Sequence, residues 1–386
     1  MSAGSKIARR VAGVPPSGIR RFFELVQGVE GVISLGVGEP DFVTPWHIRE
    51  ACIYSLERGY TMYTSNYGMP ELREELSRSI RRRYGVDYSP ETELLVTVGV
   101  SEAFDLAIRA LVDPGDEVLI PEPCYVSYVP CTVFAGGRPV SVPTGAEDGF
   151  RVNAESIEER ISERSKVLVL CYPNNPTGAT LRRRELEEIA DVVVEHDLMV
   201  ITDELYDRLT YSGRHVAFPS LNGMKERCVY LNGFSKSYAM TGWRIGYAAG
   251  SPEVIEAMMK IHQYVMLCAP VMSQMAALEA LRRGDSAVES MRREYDRRRR
   301  LIVKRLREAG LECFEPEGAF YVFPSVRSSG MSSEEFAERL LKEQKVAVVP
   351  GTAFGSSGEG HVRMAYATSL ESINEAMDRI ERFMRR

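Results

Sequence analysis

Along the first two-thirds of the chain, short and nearly continuous apolar runs alternate with stretches of helical periodicity. Leu94 to Val98 precedes a helical stretch that begins near Ser101, and Asp116 to Ile120 follows the turn Asp113-Pro114-Gly115. Lys166 to Leu170 leads into Pro173, and Leu198 to Thr202 ends at Asp203. Val229 to Asn232 stops just before Lys236, and Ile245 to Ala249 follows soon after. Strands that are apolar on both sides leave no face for water. They predict an α/β fold with a mainly parallel sheet covered by helices on both faces.

The texture then changes. From Ser251 to about Ala309 the chain reads as helix, rich in Met, Arg and Glu, interrupted at Pro270 and stopped by Gly310. Beyond it Gly318 to Phe323, Val346 to Val349 and His361 to Ala365 read as strands, with helical stretches starting at Ser333 and Leu370. This predicts a smaller α+β domain over residues 286–386, a large domain over 46–285, and an N-terminal segment, 1–45, packed with the smaller domain. A chain of 386 residues is also too long for one ordinary domain.

Composition removes several function classes. A net charge of −6 argues against a protein that tracks nucleic-acid phosphates. Arg81 to Arg83 and Arg297 to Arg300 sit in helical patterns beside acidic residues and read as solvated faces. The seven cysteines are odd in number, scattered, and form no Cys-x-x-Cys pair, so neither a disulfide framework nor a zinc site is expected. No signal-peptide core opens the chain and no long apolar run follows, so a reducing cytoplasm is the expected setting.

Four segments carry candidate chemistry. In Asn232-Gly-Phe-Ser-Lys-Ser-Tyr-Ala-Met-Thr-Gly-Trp-Arg-Ile-Gly246, Lys236 leaves a strand end among small and hydroxyl residues. Arg244 lies between apolar neighbours, where an unpaired guanidinium is costly, so a buried anion is expected beside it. In Thr97-Val-Gly-Val-Ser-Glu-Ala103 a strand gives way to a helix start, where free N–H groups and the helix dipole favour an anion. Ser101 there either caps the helix or offers its hydroxyl to that anion. Tyr172-Pro-Asn-Asn-Pro-Thr-Gly178 is a rigid turn at a strand's carboxyl end, where open α/β sheets bind ligands, and it would present Asn175. In Thr202-Asp-Glu-Leu-Tyr206 a carboxylate ends a buried strand and needs a cation, unless Asp203 caps a helix.

Taken in this order, the segments resemble the class I/II aminotransferases of the fold type I pyridoxal-phosphate enzymes. The likeness extends from Ser34-Leu-Gly-Val-Gly-Glu-Pro-Asp-Phe42 to Val362-Arg-Met-Ala-Tyr-Ala-Thr368 and is strongest toward the prokaryotic aspartate, alanine and aromatic branch. It implies a seven-stranded-type sheet, pyridoxal 5'-phosphate as coenzyme, and transamination between an L-amino acid and a 2-oxo acid. Lys236 matches the lysine that carries the coenzyme as a Schiff base and moves the proton. Asp203 matches the carboxylate at the pyridine nitrogen, and Asn175 and Tyr206 the donors to the phenolic oxygen. Tyr125, in Pro-Glu-Pro-Cys-Tyr, matches the aromatic on the ring face. Val100, Ser101 and Glu102 match the turn whose backbone holds the phosphate, with Arg244 its cationic partner. Arg363 matches the arginine that grips the substrate carboxylate bidentately. Gly38 lies where backbone approaches substrate, and Tyr63 matches a tyrosine that reaches the neighbouring subunit's phosphate, which implies a homodimer.

The sequence departs from that pattern at Gly233, where many relatives have a phosphate-binding serine; Ser235 or Ser237 would take the contact. The side-chain pocket is expected around Ile19 to Phe23, with aspartate or aromatic donors first and 2-oxoglutarate as acceptor. A lyase or synthase on the same fold would share the lysine, aspartate and arginines. A pyridoxal-phosphate-binding regulator would require a DNA-binding extension of about 60–80 residues, for which Gly36-Val-Gly-Glu-Pro comes too early.

Overall fold

Six of the expected apolar runs, joined by a seventh strand, pair into one sheet in the computed structural model, which describes residues 6–20, 26 and 29–385. In chain order the strands are β1 (Ile33–Ser34), β2 (Leu94–Thr97), β3 (Glu117–Glu122), β4 (Arg138–Pro143), β5 (Ser165–Cys171) and β6 (Met199–Asp203). They continue with β7 (Cys228–Gly233), β8 (Gly246–Ala249), β9 (Tyr321–Val322), β10 (Val346–Ala347), β11 (Val349–Pro350) and β12 (Val362–Ala365). The large sheet runs β2-β8-β7-β6-β5-β3-β4. Every neighbouring pair is parallel except the two that β8 makes, with β2 and with β7.

Alternate residues of the same strand feed opposite cores, as the two-residue period of a strand requires. Leu168 and Leu170 of β5 join the core that holds Leu186, Ile189 and Val193 of the helix Arg183–Glu195. Val167 and Val169 join the other, against Phe104, Ala107 and Ile108 of the helix Val100–Leu111. Both faces are dry, which is why these runs are apolar throughout. β4 escapes the pattern because it contains Pro139 and Pro143, and among the described residues it pairs with β3 alone. An edge strand has ladder positions where a missing N–H is harmless.

The long helical stretch is three helices, Pro252–Val265, Val271–Arg283 and Asp285–Glu308. The break at Pro270 is as expected; the one at Gly284 is not. A Cβ at Gly284 would lie 2.7 Å from the Tyr238 ring, so the chain turns at a residue without one. Asp285 then starts the next helix and accepts from Arg208 at 2.9 Å and Arg83 at 3.2 Å. The arginine run also needs correction. Arg297 and Arg300 are solvated, but Arg298 and Arg299 are buried, because four successive residues sweep most of a helix circumference. Arg298 donates to both oxygens of Asp41 at 2.8 and 2.9 Å, and Arg299 to Asp296 and Glu315.

Val346 to Val349, expected as one strand, divides between two partners. β10 pairs parallel with β1, while β11 pairs antiparallel with β12, in a sheet ordered β11-β12-β9. Around that sheet a third core gathers Tyr295 and Ile302 of the helix Asp285–Glu308 and Ile373 and Ile380 of the helix Leu370–Met384. Among the described residues no helix is long and apolar enough to cross a membrane.

A tight seam in the large sheet lies where β8 meets the start of the helix Val100–Leu111. Gly246 pairs with Gly233, and a Cβ there would lie 2.7 Å from the Val100 nitrogen and 2.8 Å from the Gly99 carbonyl carbon. Both are backbone atoms with no rotamer to yield. Gly246→Ala should therefore lose about 1–3 kcal/mol of stability in denaturant unfolding, as overpacked sites do. Gly242→Ala, whose Cβ would meet nothing within 4 Å, should stay within about 0.5 kcal/mol of the parent. Equal stability of the two variants would refute this account of the seam.

Candidate active site

The carboxyl ends of β5, β6 and β7 open into a cavity of about 280 Å³, at the rim where an open α/β sheet offers unpaired strand ends. It brings together Gly38, Val100, Ser101, Tyr125, Asn175, Asp203, Tyr206, Ser235, Lys236, Arg244 and Arg363. Glu102 and Tyr63 lie outside it. Ile19 also lines the cavity, while Arg21, Phe22 and Phe23 lie outside the described residues.

Lys236 sits just past the end of β7, and its Nζ donates to the Gly38 carbonyl at 2.7 Å. Burial, with the Arg363 and Arg244 charges nearby, brings its pKa down to about 8 against the opposing pull of Glu39 and Asp203. An amine so placed is a usable base near neutrality. Gly38 can come this close because it has no side chain: a Cβ there would fall 2.5 Å from the Tyr321 hydroxyl.

Asp203 ends β6. One oxygen accepts the Tyr128 hydroxyl at 2.8 Å and the other the Leu205 amide at 3.2 Å. Burial outweighs these donors and pushes its pKa up to about 6. No helix follows β6; residues 205–208 form a turn, so Asp203 caps no helix and one of its oxygens braces that turn instead. Tyr206 shares a hydroxyl–hydroxyl bond of 2.8 Å with Tyr321.

Arg363 is buried on β12. Its two terminal nitrogens donate to Asn175 Oδ1 at 2.9 Å and to the Gly36 carbonyl at 2.8 Å. The guanidinium lies 4.6 Å from the Tyr321 ring centre and 4.8 Å from that of Phe354. Its Nε is buried without a partner among the described residues. A guanidinium has five N–H groups, so this one retains donors for an anion entering the cavity.

Arg244, whose apolar neighbours led to the expectation of a buried anion beside it, is itself exposed. The residue adopts the left-handed conformation, φ 49°, which swings its side chain to the surface while Ile245 stays buried. The guanidinium donates to the Thr241 carbonyl at 2.9 Å and lies over Gly99, where a Cβ would come within 2.6 Å of Nη2. It therefore stands at the helix start without being desolvated. Gly99, not Ser101, occupies the N-cap position, and no side chain caps this helix. Gly99, Ser101 and Arg244 together form a cationic, N–H-rich cradle.

Of the two hydroxyls considered in place of a serine at Gly233, Ser235 lines the cavity, whereas the Ser237 hydroxyl is buried elsewhere without a partner among the described residues. A Cβ at Gly233 would lie 3.0 Å from Val100 and 3.1 Å from the Gly246 backbone, so the strand is crowded there. Tyr63 is 81% exposed on the outer surface, beside Met62. Sequence reasoning missed Tyr128 and Tyr321. Tyr128 follows Tyr125 by three residues, a spacing that could have been noticed; Tyr321 lay within an expected strand and carried no separate signal.

The model of the family called aminotransferase class I and II matches residues 30–380. The chain is 54% identical to the protein YugH of Bacillus subtilis strain 168, over 98% of both. It is 47% identical to aromatic-amino-acid aminotransferase 2 of Thermococcus litoralis, again over 98% of both. Among solved structures, the aromatic aminotransferase of Pyrococcus horikoshii superposes with a TM-score of 0.91 at 48% identity, over 95% of this chain and 98% of that one. The aspartate aminotransferase of Thermus thermophilus with maleate gives 0.93 at 41%, over 97% and 99%. With the cavity, its lysine and its buried arginine in the family's order along the chain, this protein belongs to the class I and II aminotransferases.

Proposed function

We propose that this aminotransferase moves the amino group of an L-amino acid, aspartate or an aromatic one first, to a 2-oxo acid such as 2-oxoglutarate, with pyridoxal 5'-phosphate as coenzyme. The carrying observation is the Lys236 amine, held at a backbone carbonyl with its pKa near 8 in one cavity with Asp203 and Arg363. Relatives named for aspartate and for aromatic amino acids, at 48% and 47% identity, support the order of donors.

The residues suit the coenzyme. Asp203 is a buried carboxylate with neutral donors and a raised pKa, so it is suited to a cationic ring nitrogen. Asn175 has its oxygen engaged by Arg363, which leaves its amide N–H groups to give; with Tyr206 it would hold the phenolic oxygen. Tyr125 would lie against the ring. Backbone groups of Val100, Ser101 and Glu102, with Ser235 and Arg244, would hold the phosphate. Tyr63, exposed here, would complete that shell from the second copy of a homodimer.

When bound, pyridoxal phosphate supplies an electron sink for the pair released at the substrate Cα. Arg363 takes the substrate carboxylate and so orients the Cα–H bond. Lys236 Nζ would remove that proton and, as an ammonium, deliver it to the coenzyme carbon that takes over the amino nitrogen. In the same reading residues 46–285 carry the coenzyme, residues 286–386 form a smaller unit, and the segment 1–45 packs with it, in line with the pairing of β1 and β10. The seven unpaired cysteines suit a reducing cytoplasm.

Lys236→Ala should abolish transamination while pyridoxal phosphate still binds non-covalently. The assay is a donor screen with 2-oxoglutarate that reads glutamate. Wild-type protein that yields ammonia and pyruvate in place of glutamate would overturn the reading.

Tyr128→Phe removes one hydrogen bond to a carboxylate, worth roughly 1.5–3 kcal/mol, so kcat/KM should fall about 10- to 100-fold. Asp203→Ala should fall by several orders of magnitude. A mild effect of the latter would mean that the carboxylate only braces its turn.

An amine of pKa about 8 is free base in roughly a tenth of molecules at pH 7. Attachment of coenzyme to coenzyme-free protein should thus accelerate with rising pH and level off above that value. Stopped-flow absorbance measures this, and a pH-independent rate would count against the assignment.

A further inference from the structure

The turn assigned to the phosphate is held from behind. The helix Pro252–Val265 packs along the helix Val100–Leu111, and its His262 has no exposed surface. His262 Nδ1 lies 2.8 Å from Glu102 Oε1, and the other oxygen of that carboxylate accepts the Val98 amide. A carboxylate can only accept, so the imidazole donates. Glu102 therefore joins two parts of the fold: a buried histidine on one helix and the backbone immediately before Gly99.

That backbone needs an external hold. Gly99 has φ 78° and ψ 166°, a conformation that a glycine can enter and also leave. Its carbonyl accepts the Thr97 hydroxyl at 3.0 Å, which secures one side of the turn. The amides that follow it can hold an anion only if they are aimed to within a few tenths of an ångström, as in any preorganised oxyanion site. Glu102 does not line the cavity, although Val100 and Ser101 do, so its carboxylate serves the turn and not the ligand. The price of the arrangement is visible in His262 itself, whose Nε2 is buried without a partner among the described residues. A leucine would fill that site without leaving a polar atom unpaired. The histidine is accounted for by what its other nitrogen holds.

We infer that His262 is a positioning residue for coenzyme binding: through Glu102 it fixes the Val98–Ser101 turn in the shape that receives a phosphate. The inference rests on the reading of that turn as the phosphate site. It assigns to the helix Pro252–Val265, which contributes no residue to the cavity, a part in coenzyme affinity.

The test is equilibrium titration of coenzyme-free protein by absorbance, with pyridoxal phosphate and, separately, with pyridoxal, which lacks the phosphate. For His262→Ala, the dissociation constant for pyridoxal phosphate should rise about tenfold or more, the scale of a hydrogen bond to a charged group, while that for pyridoxal changes less than about twofold. His262→Gln, which keeps a donor, should lie closer to the parent. Glu102→Ala should reproduce the loss and carry the test should His262→Ala not fold. The double variant should be no weaker than the worse single one, as expected for members of one chain of bonds. Unchanged affinity, equal losses for both ligands, or additive losses would overturn the inference. Wild-type protein that takes up no pyridoxal phosphate would instead remove the site reading, and this inference with it.

Discussion

An ammonium, a carboxylate and a guanidinium surround one small cavity, and the rest of the structure is arranged so that none of them is left in a dry place without partners. Taking an isolated charge out of water is far more costly than a whole domain is stable, so such groups survive only when dipoles and counter-charges are built in beside them. Asp203 receives a tyrosine hydroxyl and a backbone amide. Arg363 receives an amide oxygen, a carbonyl and two ring faces. The lysine leans on a carbonyl. These partners come from segments far apart in the chain, which is why the site needs the large sheet, the C-terminal strands and the strand at Ile33–Ser34 together.

The same requirement ties packing to chemistry. Arg363 lies on β12, and β12 is aligned by β9 and β11 over the core around Tyr295 and Ile302. Tyr321 of β9 meets four needs at once: it stacks on Arg363, bonds Tyr206, bounds the space above Gly38 and fills the core. A residue with so many contacts transmits any shift of the C-terminal layer to the cavity. Asn175 is similar, since its oxygen is held by the arginine and its turn sits at the end of β5.

How much of this could be read in advance follows from the physics of each element. Strands buried on both faces announce themselves by composition, so β2, β3 and β5 to β8 were legible. β4 was not, because prolines on an edge strand look like a loop until its neighbour is known. The turn at Gly284 was hidden because the contact that demands it, with Tyr238, is distant in sequence. Lys236, Asp203, Asn175 and Arg363 stood out through the order of their motifs, not through any one of them. Arg244 was located but the enclosed setting inferred for it was not found, since flanking apolar residues say nothing about a left-handed turn between them. Tyr128 gave only its spacing from Tyr125, and His262 gave no signal, because a tyrosine or histidine on a helix looks the same whether it fills space or grips a carboxylate.

The reversed direction of β8 has one more result. Had the chain after β7 crossed to begin another strand in the common direction, it would have left the ligand-facing rim after a few residues. By doubling back, the connection between Gly233 and Gly246 starts and finishes on that rim. A single loop thereby delivers Ser235, Lys236, Thr241 and Arg244 to one opening. A local hairpin thus assembles what helical crossovers would have had to gather from several remote stretches.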